Sequence, residues 1–153
     1  MASCALTSLP KSIHNLSKLQ ELYLYENKIT DISSLMGKSL TSLENLDLRK
    51  NGISSIPSGT FPPSLANLNL SDNQISEFPL ELLINCPGIH TFDVSYNRIS
   101  VIPEKLAASL NPTLRHLNLD SNQISTIPVD LLNAPNLEHL DLSYNRIEEF
   151  PGI

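Results

Sequence analysis

Residues 89–103 read IHTFDVSYNRISVIP, and residues 137–151 read LEHLDLSYNRIEEFP, nearly the same phrase in the same order. Aligned on that phrase, the whole chain falls into register. The pattern L-x-x-L-x-L-x-x-N-x-I appears as LQELYLYENKI from Leu19, LENLDLRKNGI from Leu43 and LANLNLSDNQI from Leu65. It returns from Ile89, as LRHLNLDSNQI from Leu114, and from Leu137, at spacings of 24, 22, 24, 25 and 23 residues. LTSLPKSIHNLSK, residues 6–18, matches the second half of the same unit. A chain so written must build one small unit six times and stack the copies.

The unit itself says how. In LEHLDLSYN, Leu140 and Leu142 are two residues apart and face one side of a short strand, while His139, Asp141 and Ser143 face the other. One unit cannot bury its leucine face alone, but stacked units cover one another, which produces a parallel sheet along one side of a coil. Asn27, Asn51, Asn73, Asn97, Asn122 and Asn145 recur at one position and are expected to form a ladder. Their carboxamides can satisfy backbone groups of adjacent turns that burial would otherwise orphan.

The rest of each unit returns on the opposite side. PLELLINCPG, PEKLAASLNPT and PVDLLNAPN each carry a proline, a short helical run and a later proline, the pattern of one or two helical turns. SGTFPPS is short and proline-rich and is expected to be extended. Strands are shallower than helices, so the coil curves with its sheet inside.

These residues resemble the leucine-rich repeat family, over essentially the whole chain from Leu6 to Pro151. The tails ISSIP, ISEFP, ISVIP, ISTIP and IEEFP resemble the intracellular repeats of Ras-binding scaffold proteins and their plant relatives; ITDISSLMG, in the first full repeat, lacks the proline. The resemblance implies an α/β architecture, a right-handed solenoid with a curved parallel β-sheet on the concave face. Loops and short α and 3-10 helices then form the convex face. One domain, residues 1–153, would hold the six motifs starting near 19, 43, 65, 89, 114 and 137, preceded by the half repeat 6–18.

In such a scaffold the leucines and asparagines are committed, so function lies in the outward strand positions. These are Glu21, Tyr23, Tyr25 and Glu26, then Asn45, Asp47, Arg49 and Lys50, then Asn67, Asn69, Ser71 and Asp72. The later repeats add Thr91, Asp93, Ser95 and Tyr96, then His116, Asn118, Asp120 and Ser121, then His139, Asp141, Ser143 and Tyr144. Seven acids (Glu21, Glu26, Asp47, Asp72, Asp93, Asp120 and Asp141) oppose Arg49 and Lys50, a net of −5 with neutral histidines. That balance is either a groove that steers a partner with a basic patch or a solvated scaffold whose Asp and Asn do structural work. Tyr23, Tyr25 and Arg49 are either a binding hot spot or cover for the first strand's open edge. His116 and His139 share one position in consecutive repeats and read as a plain exposed pair, with a pH-sensitive contact as the rival; a metal site would need a third converging ligand. The residues after each ladder asparagine, Lys28, Gly52, Gln74, Arg98, Gln123 and Arg146, form a mildly basic rim or ordinary solvated charge.

Several classes are disfavoured. The formal net charge is −6, which argues against nucleic acid. No apolar run approaches the ~20 residues of a membrane span, and MASCALTSLPKSIHN has no basic n-region or sustained apolar stretch. Cys4 and Cys86 form neither a disulfide framework nor a metal-ligand spacing, so they read as reduced structural thiols in a reducing, cytoplasmic compartment. Asn15 and Asn69 each open an N-L-S triplet, read as chance matches to a glycosylation acceptor. No nucleophile elbow, phosphate loop or clustered ligand set is present, and no cofactor is expected.

The chain is therefore expected to be a non-catalytic protein-interaction module in intracellular signalling or complex assembly. Rival roles are the substrate-recognition segment of a larger enzyme, an extracellular or effector receptor module, or a structural subunit of a large assembly. Ile147, Phe150 and Ile153 would face water at the last repeat, so a further domain, chain or copy is expected to cap the ends.

Overall fold

The computed structural model describes residues 5–35, 39–104, 106 and 112–152. Each motif contributes one three-residue strand: β1 (Glu21–Tyr23), β2 (Asn45–Asp47), β3 (Asn67–Asn69), β4 (Thr91–Asp93), β5 (His116–Asn118) and β6 (His139–Asp141). They form one parallel sheet in chain order. Leu22, Leu46, Leu68, Phe92, Leu117 and Leu140 lie in one register line. Each strand is short because the chain turns soon after it. Glu26, Lys50, Asp72, Tyr96, Ser121 and Tyr144 all adopt left-handed backbone, with φ between 50° and 57°.

The leucine column is buried as the pattern requires. Leu46, Leu68 and Leu117 are at most 2% exposed, and half-buried Leu140 packs against the same core. At roughly 1.5–3 kcal/mol per buried leucine, this continuous column is the main favourable term in the fold.

The asparagine ladder stitches the turns together. Asn73 Nδ2 donates to the carbonyls of Leu48 (3.1 Å) and Leu70 (3.0 Å), and its Oδ1 accepts the Ile53 amide at 3.0 Å. Asn97 and Asn122 repeat this set, and Asn27, Asn51 and Asn145 make the same kinds of bond at the ends. A second ladder runs beside it: the amides of Lys28, Gly52, Gln74, Arg98, Gln123 and Arg146 donate to the preceding repeat at 2.8–2.9 Å. The half repeat joins through both ladders, since Leu6 donates to Asn27 Oδ1 and accepts from the Lys28 amide. Ser8 also forms a parallel bridge to Asp31.

On the convex side, Leu80–Asn85 is an α-helix (α1), with Pro79 at its N-cap. Lys11–Asn15, Ser33–Leu35 and Val129–Asn133 are 3-10 turns, the first and last opened by Pro10 and Pro128. Proline suits these positions because the first amides of a helix have no internal partner. The helical run expected in PEKLAASLNPT lies largely outside the described residues, as do Cys4 and Ile153. Residues 58–64 depart from the extended expectation and form consecutive turns. Gly59 supplies positive φ (71°), Thr60 donates to the Pro57 carbonyl, and the turns deliver Phe61 into the core at 5% exposure. Among the described residues no helix is long and apolar enough to cross a membrane.

Candidate functional site: the concave sheet face

Parallel pairing places the outward side chains in columns that run from strand to strand. The first column is Glu21, Asn45, Asn67, Thr91, His116 and His139. Asn67 Nδ2 donates to Asn45 Oδ1 at 2.7 Å. The His116 and His139 rings stack, with centroids 4.5 Å apart and planes 10° from parallel. Among the described residues no group of three His, Cys, Asp or Glu could hold a metal ion.

The second column is Tyr23, Asp47, Asn69, Asp93, Asn118 and Asp141, and most of it does structural work. Oδ1 of Asp47, Asn69, Asp93, Asn118 and Asp141 each accepts the amide two residues on, at 2.9–3.1 Å. These side chains close the turn out of the strand, which is why the position takes Asp or Asn. Ser71 and Ser95 add hydroxyl bonds to the same oxygens, both at 2.7 Å. Ser95 is therefore drawn inward and is 4% exposed, correcting its place among the outward residues. The recurrent D-x-S and N-x-S spacing, seen again at Asp141 and Ser143, was the signal that could have found it. Hydrogen bonds from the Ser143 hydroxyl and amide lower the pKa of Asp141, so this acid keeps its charge below the usual carboxylate range.

The β1–β2 end is internally paired. Tyr23 donates its phenolic proton to Glu21 Oε2 at 3.0 Å, which raises the Tyr23 pKa. The Arg49 guanidinium lies 4.6 Å above the Tyr25 ring, and its Nε is 3.5 Å from Asp47 Oδ2. Lys50 Nζ meets Glu26 Oε1 at 3.1 Å. Both cations of the concave face are thus already occupied.

The β4–β6 end differs. Among the described residues, Asp93, Asp120 and Asp141 make no ion pair with a cation. Tyr96 and Tyr144 sit on the left-handed turns, 57% and 85% exposed. Each pays roughly 1–2 kcal/mol for φ > 0, and at 85% exposure Tyr144 returns little packing. The nine strand-proximal candidates thus divide: Tyr23, Tyr25, Asp47 and Arg49 form one paired cluster, while Asp93, His116, Asp120, His139 and Asp141 gather at the other end beside Tyr96 and Tyr144.

Comparison with known proteins agrees with this geometry. The "Leucine rich repeat" family model matches residues 41–99 and 87–147, and a two-copy "Leucine Rich repeats" model matches 17–62. Lumican from Oryctolagus cuniculus is 33% identical over 170 residues, covering 95% of this chain and 72% of lumican. An internalin from Listeria monocytogenes superposes with a TM-score of 0.72 at 34% identity, over 88% of this chain and 37% of the internalin. The plant peptide hormone receptor RGFR1, solved in complex with RGF2, gives a TM-score of 0.72 at 35% identity, over 90% of this chain and 22% of the receptor chain. This chain thus spans most of one relative but well under half of the two structures. Repeat, sheet and ladder agree with the family match: the chain belongs to the leucine-rich repeat family.

Proposed function

We propose that this chain is a non-catalytic protein-binding module that uses its concave sheet face in intracellular signalling or complex assembly. One observation carries the reading. Six in-register strands present a continuous outward surface in which the first column, from Glu21 to His139, serves no buried ladder or core. The receptor solved with its peptide hormone supports protein or peptide recognition by such a scaffold. The acidic balance of the face favours a partner with a basic patch.

The intracellular part of the proposal rests on the cysteine reading. Cys86 is fully buried, with its thiol 3.5 Å from the Pro62 carbonyl oxygen, which suits a reduced structural role. Half-buried Leu142 and Ile147 and exposed Phe150 form an apolar edge at the last repeat, which we propose is covered by a further domain, chain or copy.

The test is partner capture by wild type, by a concave variant (Asn67→Arg with Thr91→Arg) and by a convex variant (Val129→Arg). Loss confined to the concave variant supports the reading. Partners held equally by the wild type and the concave variant defeat it.

A further inference from the structure

We propose that the β4–β6 end of the concave face reads arginine. Guanidinium groups of an extended partner segment stack on Tyr96 and Tyr144 and pair with Asp93, Asp120 and Asp141. The inference rests on the concave face being the binding face and adds which end engages and what it recognises.

The chain carries its own template. At the β1–β2 end one arginine, Arg49, takes one ring face at 4.6 Å and one carboxylate at 3.5 Å. The same two chemical groups recur at the β4–β6 end, but the described residues supply no cation to the aspartates and no ring contact to the tyrosines. An acidic surface without internal counter-ions is complementary to a cationic segment, which it also attracts at long range. Exposed tyrosine makes the choice between cations. A planar, weakly hydrated guanidinium stacks on an aromatic ring and forks to a carboxylate, whereas an ammonium behaves as a compact hydrated point charge.

Spacing fits an extended occupant. Tyr96 and Tyr144 stand at one position of repeats two strands apart, roughly 10 Å at the spacing of neighbouring strands. One turn of polyproline II helix advances about 9 Å per three residues, so arginines three apart along such a segment reach both tyrosines. Ser121 holds the same left-handed turn position in the repeat between them.

The test titrates the full chain at low salt with a labelled peptide of repeated Arg-Pro-Gly units, its lysine counterpart and its citrulline counterpart, reading fluorescence anisotropy. The arginine peptide is expected to bind about fivefold tighter than the lysine one, and the citrulline peptide weakest. Asp93→Asn, Asp120→Asn and Asp141→Asn together should weaken the arginine peptide about tenfold. The fold tolerates this change at Asp93 and Asp141, because Asn69 and Asn118 accept the same turn amide. Tyr96→Asn with Tyr144→Asn should erase the preference for arginine over lysine, and Tyr23→Ala with Tyr25→Ala should change neither affinity.

Equal affinity for arginine and lysine peptides overturns the proposal, as does equal loss from the Tyr23/Tyr25 variant. If no peptide binds while the Asn67/Thr91 variant still loses its natural partner, this inference fails and the binding-face reading stands. If that variant keeps its partner, the binding-face reading itself fails.

Discussion

The side-chain oxygen of Asn97 lies 2.9 Å from the amide nitrogen of Ile75, one repeat earlier, while its Nδ2 reaches the carbonyls of Leu70 and Val94 at 3.0 and 3.1 Å. One buried carboxamide thus bonds four backbone groups in two adjacent turns, the Ser95 carbonyl at 3.0 Å being the fourth. Asn97→Ala leaves the Ile75 amide without its partner, while Asn73 and Asn122 still bond the Leu70 and Val94 carbonyls, and the expected loss is about 1–3 kcal/mol. Half-buried Asn145, where water can substitute, should lose about 1 kcal/mol or less. Urea unfolding of both variants measures the difference; equal losses would show that burial does not set the cost.

Phe92 stands where the other strands carry leucine, fully buried and edge-on to Phe78 at 6.3 Å. Phe92→Ala should cost about 3–5 kcal/mol, because the stacked repeats on both sides cannot close the cavity. A midpoint shift below a third of that in chemical unfolding would mean that the column relaxes freely.

At Asp93 the turn needs an acceptor, not a charge. Asp93→Asn is expected to leave stability within about 0.5 kcal/mol of wild type, and Asp93→Ala to lose about 1 kcal/mol. Equal thermal shifts for the two variants would contradict the role assigned to Oδ1.

Tyr144 holds φ of 50° while 85% exposed, so its ring contributes little packing against the backbone strain. Tyr144→Asn should stabilise the chain by about 0.5 kcal/mol, since asparagine tolerates left-handed backbone. A lower melting temperature for this variant would reveal packing by Tyr144 that outweighs the strain.

Burial pushes the Cys86 thiol from 9.0 up to about 11. The unfolded chain therefore ionises this thiol first as pH rises. Its contribution is fully present below pH 9 and is lost as pH climbs through about 11, up to roughly 2–3 kcal/mol. Stability measured from pH 8 upward should fall more steeply for wild type than for Cys86→Ala. Parallel curves would remove Cys86 as the cause.

The repeat made the strands, the leucine column and the asparagine ladder legible, because each follows from a position that recurs in every unit. Leu46 or Asn73 can be placed by counting. What single positions of the repeat could not show depended on side-chain pairs. Ser95 faces inward because Asp93 binds its hydroxyl, and Arg49 is occupied because Tyr25 and Asp47 flank it. Residues 58–64 escaped for another reason: proline content argued for extension, whereas the need to bury Phe61 bends the chain into turns. Of the candidate site, its side of the sheet was readable, but its division into an occupied end and an open end was not.

Because β1 to β6 pair strictly in chain order, every strand is held only by its immediate neighbours. Tension applied along the chain would accordingly peel turns away one at a time from the extremities, and a rupture near the middle would leave shorter spools able to rewind.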